Sequence, residues 1–152
     1  MSLREKIAED MKTAMKSGQT RRLETLRSIK AAMMEKEISM RGGPTQMSPE
    51  DELGVVMSAA KRRKESIEMF AQGGRQDLVA EETEELAIIQ EYLPKQLGRP
   101  EIEAIVRDVI AQTGAKSAAD FGKVMPLTMK QLKGKADGKL IQDIVKELLA
   151  GA

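Results

Sequence analysis

Apolar residues recur every three or four positions along almost the whole chain, and this spacing limits the fold more than any other feature. The first segment carries four of them at intervals of four: Leu3, Ile7, Met11 and Met15. That interval places them on one face of a helix. No segment shows the strict alternation of apolar and polar residues that is typical of a half-buried strand. The sequence therefore predicts an all-α fold.

Glycine, proline and capping residues divide this pattern into seven helical segments. The predicted boundaries lie, in chain order, at Ser2, Gly18, 41–46, Ser48, 73–74, Pro94, Gly114, Ser117 and Asp137. Serine and aspartate here are predicted N-caps, because their side chains accept hydrogen bonds from the first free amides of a helix. Glycine is predicted to end helices because it adopts the left-handed backbone conformation readily. Residues 41–46 are predicted to form a loop.

Two prolines and a glycine fall within the seven residues 94–100, and this is the strongest predicted domain boundary. It separates an N-terminal four-helix region, 1–94, from a small three-helix domain, 95–152. Pro126 lies inside the second of these regions, where a proline removes one backbone hydrogen bond. We expect a kink or a short restart near Met125; the alternative is a helix that ends at Met125, with a separate turn over 127–132.

The residue types that are missing exclude several kinds of active site. The 152 residues include no Cys, His or Trp, so thiolate nucleophiles, histidine-based triads and Cys/His zinc sites are excluded. We predict no catalytic residue, no cofactor and no metal site, and a binding role in preference to catalysis. Glu5, Glu9 and Asp10 argue against a leading signal or transit peptide, and no apolar run approaches the roughly 20 residues of a membrane span. The predicted protein is cytoplasmic, with no membrane association.

Positive charge concentrates near the end of the chain. Residues 115–139 hold six Lys and two Asp, whereas residues 48–95 carry a net charge of −5. Several of these lysines surround a glycine-containing turn that leads into the last helix, and free amides at a helix N-terminus favour phosphate. The candidate phosphate-binding residues are Lys123, Lys130, Lys133, Gly134, Lys135, Gly138 and Lys139. The alternative is an ordinary connection between helices, in which Gly134 ends one helix and Asp137 caps the next.

Two other charged runs have simpler interpretations. The basic run 61–64 is expected to pair with neighbouring acids, including those of the following helix, and the alternative is a contact with a phosphate backbone. The acidic run 81–85 is expected to be a solvated face or the partner of that basic run, because a continuous helix spreads its carboxylates around the circumference.

Seven short segments together resemble one known family. They are EDMKTAMK at 9–16, RLETLR at 22–27, RRKESIEMF at 62–70, GRQDL at 74–78, EYLPKQL at 91–97, GKVM at 122–125 and LKGKADGK at 132–139. In this order and spacing they resemble the GatB/YqeY family of small stand-alone proteins. The resemblance covers nearly the whole chain. Pro126 departs from the family pattern, in which a small residue commonly stands at that position.

The resemblance implies a helical N-terminal region and a C-terminal domain similar to the tail of the B subunit of glutamine-dependent tRNA amidotransferase. In that enzyme the tail helps to hold the tRNA, and the stretch that corresponds to 133–139 reads similarly in such tails. The resemblance implies tRNA, or a tRNA-dependent amidotransferase or synthetase, as the partner. It also associates the chain with carbon–nitrogen ligase activity that uses glutamine as amido donor.

Three functions are compatible with the sequence. The first is a non-catalytic helical module that binds tRNA through the lysines near the end of the chain. The second is an independent amide-transferring enzyme, which the absence of an amidase nucleophile and of a P-loop disfavours. The third is a helical adaptor between proteins, using the acidic face at 81–91 or the methionine-rich surface. The oligomeric state is left open.

Overall fold

The computed structural model describes residues 1–40 and 46–151, and most of these residues lie in helices. The predicted all-α class is confirmed. The helices are α1 (Leu3–Lys16), α2 (Thr20–Ser39), α3 (Pro49–Gln72), α4 (Gln76–Gln90), α5 (Arg99–Thr113), α6 (Phe121–Leu132) and α7 (Gly138–Ala150). A short 3-10 turn, Ala118–Asp120, precedes α6. Of the predicted loop at 41–46, only Gln46 lies within the described residues.

The three predicted serine caps are confirmed, and at the third the Ser117 hydroxyl accepts a hydrogen bond from the Ala119 amide at 3.3 Å. The Ser2 hydroxyl accepts a hydrogen bond from the Glu5 amide at 3.1 Å, and Glu5 accepts one in return from the Ser2 amide at 2.9 Å. Ser48 and Asp51 form the same reciprocal pair at the start of α3, at 3.1 and 2.9 Å. Each reciprocal pair satisfies two amides that have no hydrogen-bond partner within the helix, which explains why these helices begin where the sequence predicts.

The described chain divides into two compact units, and the first, Met1–Leu93, contains α1 to α4. Its core is formed by Ile7, Leu26, Ile29, Met33, Val56, Ala60, Ile89 and Tyr92. A buried carboxylate also joins two of its helices: Glu52 of α3 accepts a hydrogen bond from the Leu3 amide at 3.1 Å. An acid at a helix N-terminus is favourable because the free amides there carry partial positive charge. Glu52 therefore positions the start of α1 against α3.

An arginine of the basic run joins three helices of this unit. Arg63 Nε lies 2.8 Å from Glu85 and 3.6 Å from Glu82 on α4, and its guanidinium also donates to Ser28 of α2 at 3.2 Å. The predicted pairing of the basic run with the acidic fourth helix is confirmed for this residue. Burial, and then the neighbouring Glu85 carboxylate, raise the pKa of Glu82 above its ordinary value. The other three members of the run, Lys61, Arg62 and Lys64, are exposed.

The second unit, Pro94–Ala152, has a separate core. It is formed by Ile102, Val106, Val109, Val124, Leu132, Ala136, Ile141, Ile144, Val145 and Leu149. Leu97, from the proline-rich segment before α5, packs against this core. The division into two domains remains a prediction, and the two cores show which residues would hold each domain together.

Helix α6 runs through Pro126 without interruption. The predicted restart at Met125, and the alternative of a helix ending there, are therefore wrong; the kink stays a prediction. Burial explains the continuity: Val124, Thr128 and Leu132 lie four residues apart and are all fully buried. The Thr128 hydroxyl also donates to the Val124 carbonyl at 2.9 Å. The apolar face of α6 outweighs one missing backbone hydrogen bond.

Candidate phosphate-binding site

The connection between α6 and α7 begins with a tight turn that requires glycine. Lys133 has φ −55° and ψ 123°, Gly134 has φ +78°, and the Lys135 amide donates to the Leu132 carbonyl at 2.9 Å. These values are those of a type II turn, whose third residue has a positive φ that favours glycine. The predicted role of Gly134 at the end of α6 is confirmed in this form.

The turn is held from the core side by the segment before α5. The Gln96 side-chain amide donates to the Gly134 carbonyl at 2.7 Å, and the Leu97 amide donates to the Lys135 carbonyl at 2.8 Å. Gly134 and Ala136 are buried. The backbone of the turn is therefore fixed on its inner side, and the neighbouring lysine side chains are the groups that it presents to solvent.

All five predicted lysines of the site are exposed: Lys123, Lys130, Lys133, Lys135 and Lys139. Lys123 Nζ lies 3.7 Å from the half-buried Asp120, and a long pair made by an exposed lysine contributes little to stability. Elsewhere in the described chain, no carboxylate lies within 4 Å of the ammonium groups of Lys130, Lys135 or Lys139. The structure thus places three lysines, Lys133, Lys135 and Lys139, on or next to the turn, with Lys130 in the last turn of α6 and Lys123 two helical turns earlier.

Asp137 stands at the N-cap of α7 but does not cap it with its side chain. Its backbone is extended, with φ −67° and ψ 133°, and its carbonyl accepts from the Ile141 amide at 3.1 Å. No capping hydrogen bond reaches its carboxylate, so the predicted side-chain cap is wrong, although its position is right. The helix begins through its main chain alone. The N-cap side chain therefore does not occupy the first amides of α7.

Gly138, the first residue of α7, is half-buried. A Cβ added there would lie 3.8 Å from Met129 Cε, an ordinary contact. Nothing in the packing of this helix start therefore requires glycine.

A polar cluster in the N-terminal unit escaped the interpretation of the sequence. The Tyr92 hydroxyl donates to Asp10, and the Lys6 ammonium lies 5.5 Å from the centre of the Tyr92 ring. Arg22 pairs with the adjacent Glu91 at 2.6 Å. Burial, followed by the bond to Asp10, raises the pKa of Tyr92 well above its usual range. The signal was present in the sequence, because Asp10, Arg22 and Tyr92 belong to three of the segments that carry the family resemblance.

The residues that the structure describes contain neither a membrane-spanning helix nor a group of metal ligands. No helix in this part of the chain is both long and apolar enough to cross a bilayer. Within the same residues, no three carboxylates come together in the way that would hold a metal ion.

Comparisons with known proteins identify relatives over nearly the whole chain. A family model described as Yqey-like protein matches residues 4–149. "Altered inheritance of mitochondria protein 41, mitochondrial" of Pyrenophora tritici-repentis is 27% identical over 149 residues, which is 95% of this chain and 79% of that protein. The protein of the same name from Eremothecium gossypii is 33% identical over 87 residues, which is 57% of this chain and 46% of that protein.

The names of these relatives correct one prediction. Both are named as mitochondrial proteins, which contradicts the cytoplasmic location predicted from the sequence. That prediction rested on acidic residues near the first position. The composition of a folded helical domain does not indicate its cellular location, because targeting depends on separate segments.

Proposed function

This chain belongs to the YqeY-like protein family, and we propose that it is a non-catalytic helical module that binds tRNA through the turn between α6 and α7. In this proposal Lys133, Lys135 and Lys139 contact phosphates, and Lys130 and Lys123 supply supporting charge. Such contacts position a protein on a nucleic acid without reading its bases. The three aromatic residues of the chain suit recognition of backbone shape better than stacking on bases.

One observation supports the proposal most strongly: hydrogen bonds hold the backbone of the α6–α7 turn in place, while its lysines are exposed to solvent. Gln96 and Leu97 hold the carbonyls of Gly134 and Lys135 at 2.7 and 2.8 Å. A fixed turn loses less conformational freedom on binding than a mobile one, so more of the charge interaction contributes to affinity. The resemblance of 132–139 to amidotransferase tails points to the same residues.

The proposed biological setting is the tRNA-dependent formation of an amide on an aminoacyl-tRNA. The association of the family with carbon–nitrogen ligase activity, with glutamine as amido donor, supports this setting. In the proposal the chain holds tRNA, or the enzyme that carries it, and chemistry occurs elsewhere. Glutaminase and ATPase assays of the purified chain with tRNA should give no turnover; turnover that survives further purification would establish the enzyme hypothesis instead.

Binding of tRNA to the full chain at fixed salt tests the proposal. Replacing Lys133, Lys135 and Lys139 together with Ala should weaken binding by at least tenfold. The matched control replaces the exposed Lys61, Arg62 and Lys64 with Ala, removing the same charge from α3. Equal losses in the two triple variants would mean that net charge alone attracts tRNA, and the turn would lose its assigned role.

An adaptor between proteins is the second candidate, and one observation favours it. Met34 and Ile38 lie one turn apart on α2 and are 49% and 55% exposed. Neighbouring exposed apolar side chains are a feature of protein-binding surfaces. An adaptor should retain its partner in a pull-down after nuclease treatment, and the double change of Met34 and Ile38 to Ser should release it. Loss of the partner with nuclease alone would favour the tRNA proposal.

A further inference from the structure

The solvent-exposed face of α6 carries residues that do not help the helix to form or to pack. Gly122, Lys123, Pro126, Leu127 and Lys130 are all exposed. At 100° per residue these positions fall on one side of the helix, away from the buried face that holds α6 in the core. Proline is a poor residue for a helix interior, and glycine is less favourable than alanine in a helix. Their presence together on the solvent side calls for a reason outside the fold.

Pro126 leaves a backbone acceptor without its usual donor. In a regular helix the Gly122 carbonyl accepts from the amide of the residue four positions later. That residue is Pro126, which has no N–H, and whose ring crowds the same carbonyl. Gly122 is exposed, and a Cβ built on it meets no atom within 4 Å outside its own helix backbone. No side chain at residue 122 therefore stands between an approaching ligand and this turn of α6.

Charged and apolar groups surround this acceptor. Lys123 and Lys130 are seven residues apart, which corresponds to about 10 Å along the helix axis. Lys123 is exposed and lies 3.7 Å from the half-buried Asp120, a long ion pair for which a phosphate can compete. Leu127 is 44% exposed and lies between the two lysines in sequence. The face offers two cations, one hydrogen-bond acceptor and one apolar side chain.

We propose that this face binds the ribose–phosphate backbone of RNA, with the Gly122 carbonyl accepting a hydrogen bond from a ribose 2′-hydroxyl. The inference rests on the proposed function and adds the chemical basis on which RNA is preferred to DNA. The lysines attract phosphates of either nucleic acid, but a DNA backbone carries only acceptors. A ribose 2′-hydroxyl supplies a donor in place of the amide hydrogen that Pro126 lacks. The absence of a side chain at residue 122 permits the close approach.

Gly122→Ala tests the close approach in the full chain. Gly54→Ala is the matched control, because Gly54 is also an exposed helical glycine whose added Cβ meets nothing within 4 Å. Alanine favours helix formation over glycine, so both variants should keep or raise the melting temperature. Only Gly122→Ala should weaken tRNA binding, by roughly two- to tenfold, the range of one net hydrogen bond. Unchanged affinity in Gly122→Ala would overturn the inference.

Pro126→Ala tests the acceptor itself, because alanine restores the backbone N–H from which the Gly122 carbonyl would accept a hydrogen bond within the helix. The probe is an RNA hairpin and the same hairpin with 2′-deoxyribose throughout. The wild-type chain should bind the RNA more tightly, and Pro126→Ala should reduce that preference without changing the dependence on salt. Equal binding of both hairpins by the wild type, or an unchanged preference in the variant, would overturn the inference.

The two proposals fail in different ways. If the Lys133, Lys135 and Lys139 triple variant loses tRNA while Gly122→Ala and Pro126→Ala behave as wild type, the proposed function stands and the α6 face is not part of it. If the wild-type chain binds neither RNA nor DNA, both proposals are overturned.

Discussion

At the scale of single residues, two helix starts that look alike in sequence differ in their chemistry. Ser48 caps α3 through a reciprocal bond with Asp51, whereas the Asp137 side chain makes no capping bond to α7. We therefore expect Ser48→Ala to lower the free energy of unfolding by about 1 kcal/mol, and Asp137→Ala to lower it by only a few tenths. Urea unfolding of both variants measures the difference, and equal costs would contradict the assignment.

Tyr92 gives a second prediction at this scale. Its pKa is raised by burial and by the bond to Asp10, so the folded state favours the protonated phenol. Its contribution to stability is complete below the unfolded pKa of about 10 and is lost as the pH rises through the higher folded value. Tyr92→Phe should cost about 1–2 kcal/mol at neutral pH and remove this alkaline loss.

The measurement is direct because Tyr92 is the single tyrosine and the chain has no Trp. Near-ultraviolet absorbance during an alkaline titration reports only this phenol. Ionisation at the pH of free tyrosine, with the fold intact by circular dichroism, would contradict the buried bond to Asp10.

At the scale of elements, the contact between α3 and α4 depends on two carboxylates that act oppositely. The pKa of Glu82 is raised in the folded state. The contribution of Glu82 to folding stability is therefore fully present below the ordinary carboxyl pKa of 4.5 and is lost as the pH rises above that value. Glu82→Gln should therefore stabilise the chain at pH 7 by up to about 1 kcal/mol and have little effect below pH 4.

Glu85→Gln is the matched change. It weakens the 2.8 Å pair with Arg63, so it should destabilise the chain at pH 7. Thermal unfolding of both variants at the two pH values tests the pair. The same sign for both changes at pH 7 would show that Arg63 does not distinguish the two acids.

Helices also show most clearly which structural features can be predicted from the sequence and which cannot. Capping and glycine signals predicted the start of α3 after Ser48 and its end before Gly73, because these signals act within a few residues. The continuity of α6 through Pro126 was mispredicted because it depends on burial against other helices. Charge alone located the lysines of the site. The hydrogen bond that braces their turn joins Gln96 to a residue 38 positions away, and local patterns do not encode such a contact.

At the scale of the whole molecule, the chain carries two cores, one on each side of residue 94. Limited proteolysis should cut within 94–100 before it cuts inside either set of helices. The structure narrows this expectation to the exposed Pro94 and Lys95, since Gln96 and Leu97 are hydrogen-bonded to the α6–α7 turn. Trypsin should release a fragment that begins at Gln96, read by mass spectrometry. Earlier cutting inside α3 or α4 would contradict the two-domain prediction.

The salt dependence of tRNA binding tests the central claim most directly, because each phosphate contact releases a counterion. Each lost contact should reduce the slope of log affinity against log salt by about 0.7–0.9. Replacing Lys133, Lys135 and Lys139 with Ala should therefore reduce the magnitude of this slope by roughly two units, while helix content stays unchanged. An unchanged affinity and an unchanged slope would contradict the account, and the turn between α6 and α7 would then be only a connection between helices.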